Sequence, residues 1–283
     1  MSDFARERIC FYSSMFRDRS NMRDIIECAK DFGVHGVEMM NFCEELRTPD
    51  MAAARELGAL ARGWGLDLPV FSVGINIVGE RGKEGVERLR GYAEICSELE
   101  IPVLHHTIYG PVDQSLAPTP EGREAIYTEG LEAALSVNEY AACLGVKTIV
   151  ENQGLVFNGY EWYLRFLKEA EGRIGALLDV GNVFFGGGDP CGLLDAMPTL
   201  PEHIHIKDYA FREASDDGRT IYRTPDMRGF CYEEIGCGSI DLTRLGQQLR
   251  ARGYAGLYSI EFEGVKDMDE VARVLSFLEK TLA

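Results

Sequence analysis

Short apolar segments alternate with longer segments along most of this chain, and the two kinds differ in the spacing of their hydrophobic positions. The short segments are rich in valine and isoleucine, as buried strands usually are, whereas the longer ones repeat their apolar positions with the period of a helix. Helical segments lie between the predicted strands. Eight strands are predicted in this way: Ile9–Tyr12, Gly36–Met40, Leu68–Ile75, Pro102–Ile108, Lys147–Asn152, Ile174–Val180, His203–Asp208 and Gly256–Phe262.

This alternation predicts a parallel sheet whose strands are joined by crossover helices, which places the chain in the α/β class. Eight strand–helix units in 283 residues fit a closed (β/α)8 TIM barrel, a fold that typically needs about 250 residues. An open, doubly wound sheet is the alternative, but no G-x-G-x-x-G motif follows the first predicted strand. We therefore expect a single TIM-barrel domain over residues 1–283.

One segment, at about residues 210–239, breaks the alternation. It follows the seventh predicted strand and carries Asp216-Asp217-Gly218, Pro225 and Gly229 without a regular period. A long connection in a compact domain is usually functional or mobile. Because loops that follow barrel strands surround the mouth of the barrel, we expect this insertion to be a lid or a partner contact, with an insertion of no function as the alternative.

Polar residues end four successive predicted strands, the fifth to the eighth. They are Glu151, Asp179, His205 and Glu261, and each follows an apolar run. The carboxyl ends of barrel strands meet at one mouth, and a buried carboxylate is costly there unless it is paired or bound to a metal. Three carboxylates and one imidazole suit a divalent ion, Mn²⁺ first, with Mg²⁺, Co²⁺ or Zn²⁺ as alternatives. The sequence predicts a metal site here, and salt bridges at the barrel mouth are the other interpretation.

Six short motifs lie at or near the predicted strand ends. They are Gly36-Val37-Glu38, Ile149-Val150-Glu151-Asn152, Leu178-Asp179-Val180-Gly181-Asn182 with Gly188-Asp189-Pro190, His205-Ile206-Lys207-Asp208, Gly236-Cys237-Gly238-Ser239-Ile240-Asp241 and Ile260-Glu261-Phe262-Glu263-Gly264. Together they resemble the xylose isomerase-like barrels, a group of sugar and sugar-phosphate isomerases and epimerases. That group includes the ketose 3-epimerases, hydroxypyruvate isomerase and inosose dehydratase, and the resemblance covers nearly the whole chain.

The resemblance implies that Glu151, Asp179, His205 and Glu261 are the metal ligands. In the ketose 3-epimerases the first and last ligands also act as acid and base, which makes Glu151 and Glu261 the expected catalytic pair. One would remove the proton beside a carbonyl and the other would return a proton to the opposite face, while the metal stabilises the enediolate. The predicted function is a metal-dependent isomerase or epimerase of a sugar, sugar phosphate or related polyol in carbohydrate metabolism.

Two predicted substrate-binding residues depart from the family pattern. Asn182 stands where many members carry a histidine, so the substrate can differ from theirs. Lys207 lies two residues after His205 and shares its inward face, where it can bind a substrate oxygen or form a salt bridge with Asp208 or Glu261. These departures keep open a second enzymatic function, a lyase or dehydratase that acts on a keto-sugar or inosose with the same metal site.

Two more candidates for substrate binding come from other segments. His106 has the same offset along its strand as Glu151, so we expect His106 rather than His105 at the mouth. Arg212, in the long segment, is a candidate for binding an anionic group of the substrate. Glu38 ends the second predicted strand, and we interpret it as a residue that caps a loop.

Charge and cysteine usage limit the partners and the location. The net charge of −17 disfavours broad binding to nucleic acids or anionic membranes. The eight cysteines form no C-x-x-C pair, and neither an apolar N-terminal stretch nor an apolar run of about 18 residues is present. We therefore expect free thiols in a cytoplasmic protein.

Two further functions stay open at this point. Abasic-site endonucleases share the superfamily, but they need a histidine-rich zinc cluster, and this acidic chain has only five histidines. A non-catalytic sugar-binding subunit is disfavoured because binding alone does not need two opposed bases. Relatives commonly form dimers or tetramers, so a homo-oligomer is an expectation by analogy.

Overall fold

A parallel barrel sheet forms the centre of the structure, a computed structural model that describes residues 3–12, 21–214 and 218–282. Its nine strand segments run in the order β2-β1-β12-β8-β7-β6-β5-β4-β3, and three further strands form a separate sheet in the order β10-β11-β9. The twelve strands in this part of the chain are β1 (Ile9–Phe11), β2 (Gly36–Val37), β3 (Met39–Met40), β4 (Val70–Val73), β5 (Val103–His106), β6 (Lys147–Glu151), β7 (Gly175–Asp179), β8 (His203–Ile206), β9 (Asp208–Phe211), β10 (Tyr222–Arg223), β11 (Gly229–Glu233) and β12 (Leu257–Ile260).

The barrel closes at a strand that is interrupted at one residue. β2 pairs with β1 and β3 pairs with β4, and only Glu38 separates the two segments along the chain. Because β2 and β3 are the two ends of the strand order, their continuity joins the edges of the sheet. The result is an eight-stranded parallel barrel, as the alternation predicts, and each barrel strand lies within its predicted bounds.

Helices surround the barrel and bury their apolar faces against it. Asn21 caps the first helix by accepting a hydrogen bond from Asp24 N, and Gly33, at φ 63°, ends it in the left-handed conformation that favours glycine. The helices in the described residues are α1 (Met22–Phe32), α2 (Met51–Gly63), α3 (Gly82–Glu98), α4 (Pro120–Cys143), α5 (Tyr160–Glu169), α6 (Val180–Phe185), α7 (Pro190–Ala196), α8 (Leu242–Ala251) and α9 (Met268–Leu282).

The segment predicted to be irregular, residues 210–239, contains most of an ordered antiparallel sheet. β9 and β11 pair with Phe230 opposite Phe211 and Tyr232 opposite Tyr209. The sheet packs through aromatic contacts on α6, where the ring of Phe184 lies 4.7 Å from that of Phe211. These strands were not recognised in the sequence, because the turn residues between them interrupt each alternating run after a few positions.

Two predictions about the chain as a whole can be compared with the structure. No disulfide joins the eight cysteines, all of which lie in the described residues, and six of them are buried. Across the described ranges, no helix combines the length and the apolar character that a membrane span requires.

Candidate metal centre and active site

Four strands deliver the predicted ligands to one point at the carboxyl end of the barrel. Asp179 ends β7 in register with His205 of β8, while Glu151 ends β6 and Glu261 directly follows β12. His205 Nδ1 lies 3.8 Å from Asp179 Oδ2, 3.8 Å from Glu261 Oε2 and 4.0 Å from Glu151 Oε2. The ligand atoms of Glu151, Asp179 and His205 all lie within 4.8 Å of one another. The site thus groups three carboxylates around one imidazole nitrogen.

The chemistry of this group fits a divalent metal ion. His205 Nδ1 is fully buried and has no hydrogen-bond partner among the described residues, which is costly unless its lone pair is used. Burial, followed by the charge of Asp179, raises the pKa of Glu151 well above its usual range. Burial also raises the pKa of Glu261, against the opposing charge of Lys207. A divalent ion would use the free lone pair and offset the excess negative charge, so the ligand prediction is consistent with this geometry.

Lys207 lies inside this cluster. Its ammonium is 2.9 Å from Glu261 Oε2, to which it donates a hydrogen bond, and 2.9 Å from Asp179 Oδ2, with which it forms an ion pair. Burial lowers the pKa of Lys207, but the charges of Asp179 and Glu261 outweigh it and raise that pKa well above normal. Of the two salt bridges that the sequence allows, the structure contains the one with Glu261. Lys207 also lines the cavity described below.

A glycine after Asp179 makes room for the lysine stem. A Cβ atom at Gly181 would lie 2.3 Å from Cγ of Lys207, far inside van der Waals contact. The stem therefore crosses the first turn of α6, which starts directly after β7. The short helix α6 was not predicted, since a run of six residues has too little period to detect.

Asn182 holds the catalytic candidate Glu151. Its backbone N–H donates to Asp179 Oδ1 (2.8 Å), which caps α6, and its side-chain amide donates to Glu151 Oε2 (3.2 Å). Asn152 fixes the Asp179 backbone from the other side with two hydrogen bonds of 3.0 Å. Asn182 is not among the residues that line the cavity, and its side chain contacts Glu151; its contact with substrate stays a prediction.

The structure places His105, and not the predicted His106, at the mouth. The β5–β6 register pairs His105 with Ile149, one residue away from the alignment that put His106 beside Glu151. The stagger between neighbouring barrel strands causes this difference. His105 Nε2 lies 3.8 Å from Glu151 Oε1. His106 is buried elsewhere, where its Nδ1 donates to the carbonyl of Thr107 (2.9 Å) and burial lowers its pKa to about 4.

A buried carboxylate that we interpreted as a loop cap lies directly behind His205. Glu38 is 0% exposed, and its carboxylate accepts hydrogen bonds from His205 Nε2 (3.1 Å), His203 Nε2 (3.1 Å) and the hydroxyl of Ser72. Burial raises its pKa, but the charge of His205 and the two histidine hydrogen bonds outweigh this and lower the pKa well below normal. In turn, burial lowers the pKa of His205, but the charge and hydrogen bond of Glu38 dominate and raise it to about 9.

Arg212, in the long segment, and Asp208, just before it, have structural contacts. Arg212 pairs with Glu233 at 3.0 Å on the hairpin, is about half exposed at its side chain, and does not line the cavity, so its position gives no support to substrate binding. Asp208, next to Lys207, accepts hydrogen bonds from the backbone N–H groups of Tyr209, Gly236, Gly238 and Ile240. Asp208 therefore anchors the loop that follows β11.

A cavity of about 130 Å³ opens above the cluster. The Tyr12 ring lies 4.7 Å from the His205 ring, and the exposed Phe42 covers Gly74. These neutral residues were missed because nothing in their local pattern separates them from ordinary core or loop positions. The lining residues are Tyr12, Phe42, Gly74, His105, Thr107, Glu151, Gln153, Lys207 and Glu261.

The architecture is similar to that of a known family. The family model of the xylose isomerase-like TIM barrel matches residues 26–281. No curated protein matches the chain significantly.

Solved structures match the fold over almost the whole length. D-psicose 3-epimerase from Clostridium cellulolyticum H10, solved with D-tagatose, is 16% identical with a TM-score of 0.73, over 97% of this chain and 99% of that one. The probable 3-DHS dehydratase AsbF from Bacillus anthracis is 15% identical with a TM-score of 0.72, over 96% and 98%. A xylose isomerase-like TIM barrel protein from Mycobacterium smegmatis, in complex with magnesium, is 12% identical with a TM-score of 0.72, over 100% of both chains.

Proposed function

The chain belongs to the xylose isomerase-like TIM barrel family, and we propose that it is a divalent-metal-dependent isomerase or epimerase of a sugar, sugar phosphate or related polyol. The observation that carries this proposal is the convergence of Glu151, Asp179 and Glu261 on Nδ1 of His205, which has no hydrogen-bond partner among the described residues. We propose these four residues as the ligands, with Mn²⁺ as the expected ion. When bound, such an ion polarises a carbonyl and stabilises negative charge beside it.

Glu151 and Glu261 are the proposed proton-transfer pair. Both line the cavity, and their strands, β6 and β12, are three steps apart around the eight-stranded barrel. The two carboxylates therefore approach a molecule in the cavity from different directions, as removal and return of a proton on opposite faces requires. Asn182 orients Glu151 and Lys207 orients Glu261 through their hydrogen bonds, so each carboxylate is held before substrate arrives.

A lyase is the second candidate, and the position of Lys207 favours it. A lyase shares the first step, proton removal beside a carbonyl, and then expels a leaving group. The buried ammonium lines the cavity beside Glu261, where it can hydrogen-bond a departing hydroxyl oxygen. The similarity in fold to a probable 3-DHS dehydratase is consistent with this alternative.

Metal content and proton exchange together test the proposal. The protein and its Glu151→Gln and Glu270→Gln variants are loaded with Mn²⁺, desalted and measured by elemental analysis. Glu270 is the matched control, since it is a buried glutamate that accepts a hydrogen bond from Lys266 N at the start of α9. We expect near-stoichiometric Mn²⁺ in the protein and in Glu270→Gln, and clearly less in Glu151→Gln.

Ketoses and inososes are then incubated with the Mn²⁺ protein in D₂O and followed by NMR. Deuterium beside the carbonyl with an inverted or shifted carbonyl product identifies an epimerase or isomerase, whereas loss of water identifies the lyase. Absence of metal from the folded protein would refute the proposal. Bound metal without exchange in any sugar would favour a sugar-binding subunit instead.

A further inference from the structure

One buried carboxylate connects His205, a proposed metal ligand, with His105, which lines the cavity. Glu38 lies at the interruption between β2 and β3, and its side chain reaches His205 of β8 across the interior of the barrel. It also accepts from His203 and from Ser72, whose hydroxyl in turn lies 2.7 Å from Nδ1 of His105. Both rings are at most 1% exposed.

The contact with Glu38 determines which nitrogen of His205 carries a proton. Nε2 lies 3.1 and 3.2 Å from the two oxygens of Glu38, and an ionised carboxylate can only accept hydrogen bonds. Nε2 must therefore carry a hydrogen. In a neutral imidazole the other nitrogen then holds the lone pair. That nitrogen, Nδ1, faces the carboxylates of the proposed metal site.

Ser72 transmits the same constraint to His105. Its hydroxyl has one hydrogen, and because Glu38 cannot donate, that hydrogen points to Glu38. The Ser72 oxygen must then accept from His105 Nδ1, which leaves the lone pair of His105 on Nε2. Nε2 is buried, has no hydrogen-bond partner in the described part of the chain, and belongs to a residue that lines the cavity.

We propose that Glu38 is a positioning residue that fixes both protons, so that His205 presents Nδ1 to the metal and His105 presents Nε2 to a substrate hydroxyl. His105 also forms a group with Glu38 and His205 whose ligand atoms lie within 4.8 Å of one another. We assign its Nε2 to substrate because Glu38 and Nε2 of His205 are already paired with each other, whereas His105 lines the cavity. This inference rests on the proposed function for the identity of the two partners, the metal ion at His205 Nδ1 and the substrate hydroxyl that donates to His105 Nε2. The protons on Nε2 of His205 and on Nδ1 of His105 follow from the contacts alone, whereas the lone pair on Nδ1 of His205 belongs to the neutral ring that a metal ligand must be.

Three variants separate the two branches of this network. Glu38→Gln offers one carbonyl oxygen and one N–H₂ group to three donors, so at least one donor meets a donor. We expect it to weaken Mn²⁺ binding about 10- to 100-fold, the usual effect of altering the partner of a metal-bound histidine. Ser72→Ala removes the link to His105 and one of the three donors to Glu38, but it leaves both histidine donors in place. Mn²⁺ affinity should therefore stay within about 2-fold, far less than the effect expected for Glu38→Gln, while KM rises for the substrate found by the proton-exchange screen. Glu270→Gln, the control, should change neither.

The protons are read directly by long-range ¹H–¹⁵N correlation spectra of histidine-labelled, Mg²⁺-loaded protein. We expect the Nε2–H form for His205 and the Nδ1–H form for His105, and we expect Ser72→Ala to change His105 alone. An Nε2–H form of His105 in the unmodified protein, or unchanged Mn²⁺ affinity in Glu38→Gln, would overturn the inference. The spectra need no substrate, so the two proposals can fail separately. If the protonation states are as expected but the protein turns over no sugar, the proposed function is refuted and this inference stands.

Discussion

Removing the charge of Lys207 should destabilise the metal-free protein and affect the Mn²⁺ form much less. Lys207 is 5% exposed and pairs with Asp179, which is 0% exposed, and with Glu261. Lys207→Met keeps most of the apolar stem that packs on Gly181 but leaves three carboxylates without their buried cation. Breaking a buried ion pair from one side costs about 3–5 kcal/mol. We expect the lower end, about 3 kcal/mol, because the Glu261 side chain is 17% exposed.

Bound Mn²⁺ should reduce this loss because it offsets the same negative charge. If the difference in unfolding free energy falls from about 3 to about 1 kcal/mol when Mn²⁺ saturates the site, the thermodynamic cycle requires tighter binding to the variant. A change of about 2 kcal/mol corresponds to a roughly 30-fold lower Kd. Lys207→Met is thus expected to bind Mn²⁺ more tightly than the unmodified protein.

Urea unfolding with EDTA and with saturating Mn²⁺, followed by circular dichroism, measures both quantities. Lys147→Met is the matched control, since Lys147 pairs with Glu202 where the two side chains are 47% and 33% exposed. The control should lose less than about 1 kcal/mol in either condition. Equal stabilisation of Lys207→Met and the unmodified protein by Mn²⁺ would refute the idea that lysine and metal offset the same charge.

Two further predictions concern packing and pH. Gly181→Ala puts a methyl group 2.3 Å from Cγ of Lys207 and should lower the unfolding free energy by about 1–3 kcal/mol. The control is Gly63→Ala, where nothing lies within 4 Å, and it should raise the unfolding free energy by up to about 1 kcal/mol. Equal urea midpoints for the two variants would contradict this packing. Burial lowers the pKa of His106 to about 4, below the value of about 6.5 in an unfolded chain, so stability is lost as pH falls through this window. His106→Gln should therefore remove about 2 kcal/mol of the stability difference between pH 8 and pH 5, measured by urea unfolding in EDTA, and an unchanged pH dependence would contradict a neutral buried imidazole.

The barrel and the four ligand candidates could be predicted because each depends on a short-range rule. Strand alternation with helices indicates the parallel barrel, and a polar residue after an apolar run marks the end of a strand. Since all strands of such a barrel end at one mouth, Glu151, Asp179, His205 and Glu261 could be grouped without any knowledge of distances. The inward position of Lys207 followed from the same alternation, because side chains two residues apart share a face. The alternation left open whether its partner is a substrate oxygen, Asp208 or Glu261.

The differences between prediction and structure arise where the arrangement depends on contacts between distant segments. The choice of His106 over His105 assumed that neighbouring strands start level, whereas barrel strands are staggered and the β5–β6 register differs by one residue. The three-stranded sheet of β9, β10 and β11 was not predicted, because it depends on pairing between separate segments, such as Phe211 with Phe230. The contact between Asn182 and Glu151 depends on the capping of α6 by Asp179, which no sequence pattern shows.

Glu38 links the closure of the barrel to its chemistry. The backbone changes partners at this residue, because β2 pairs with β1 and β3 with β4. The side chain at the change points inward and meets His205 three strands away in the sheet order β2-β1-β12-β8. A fully buried carboxylate is tolerated there because three donors satisfy it. Substitution of Glu38 therefore affects both the closure of the barrel and the protonation of His205. Ser72→Ala removes only the hydroxyl between Glu38 and His105, so it tests the proton arrangement while the barrel closure stays intact.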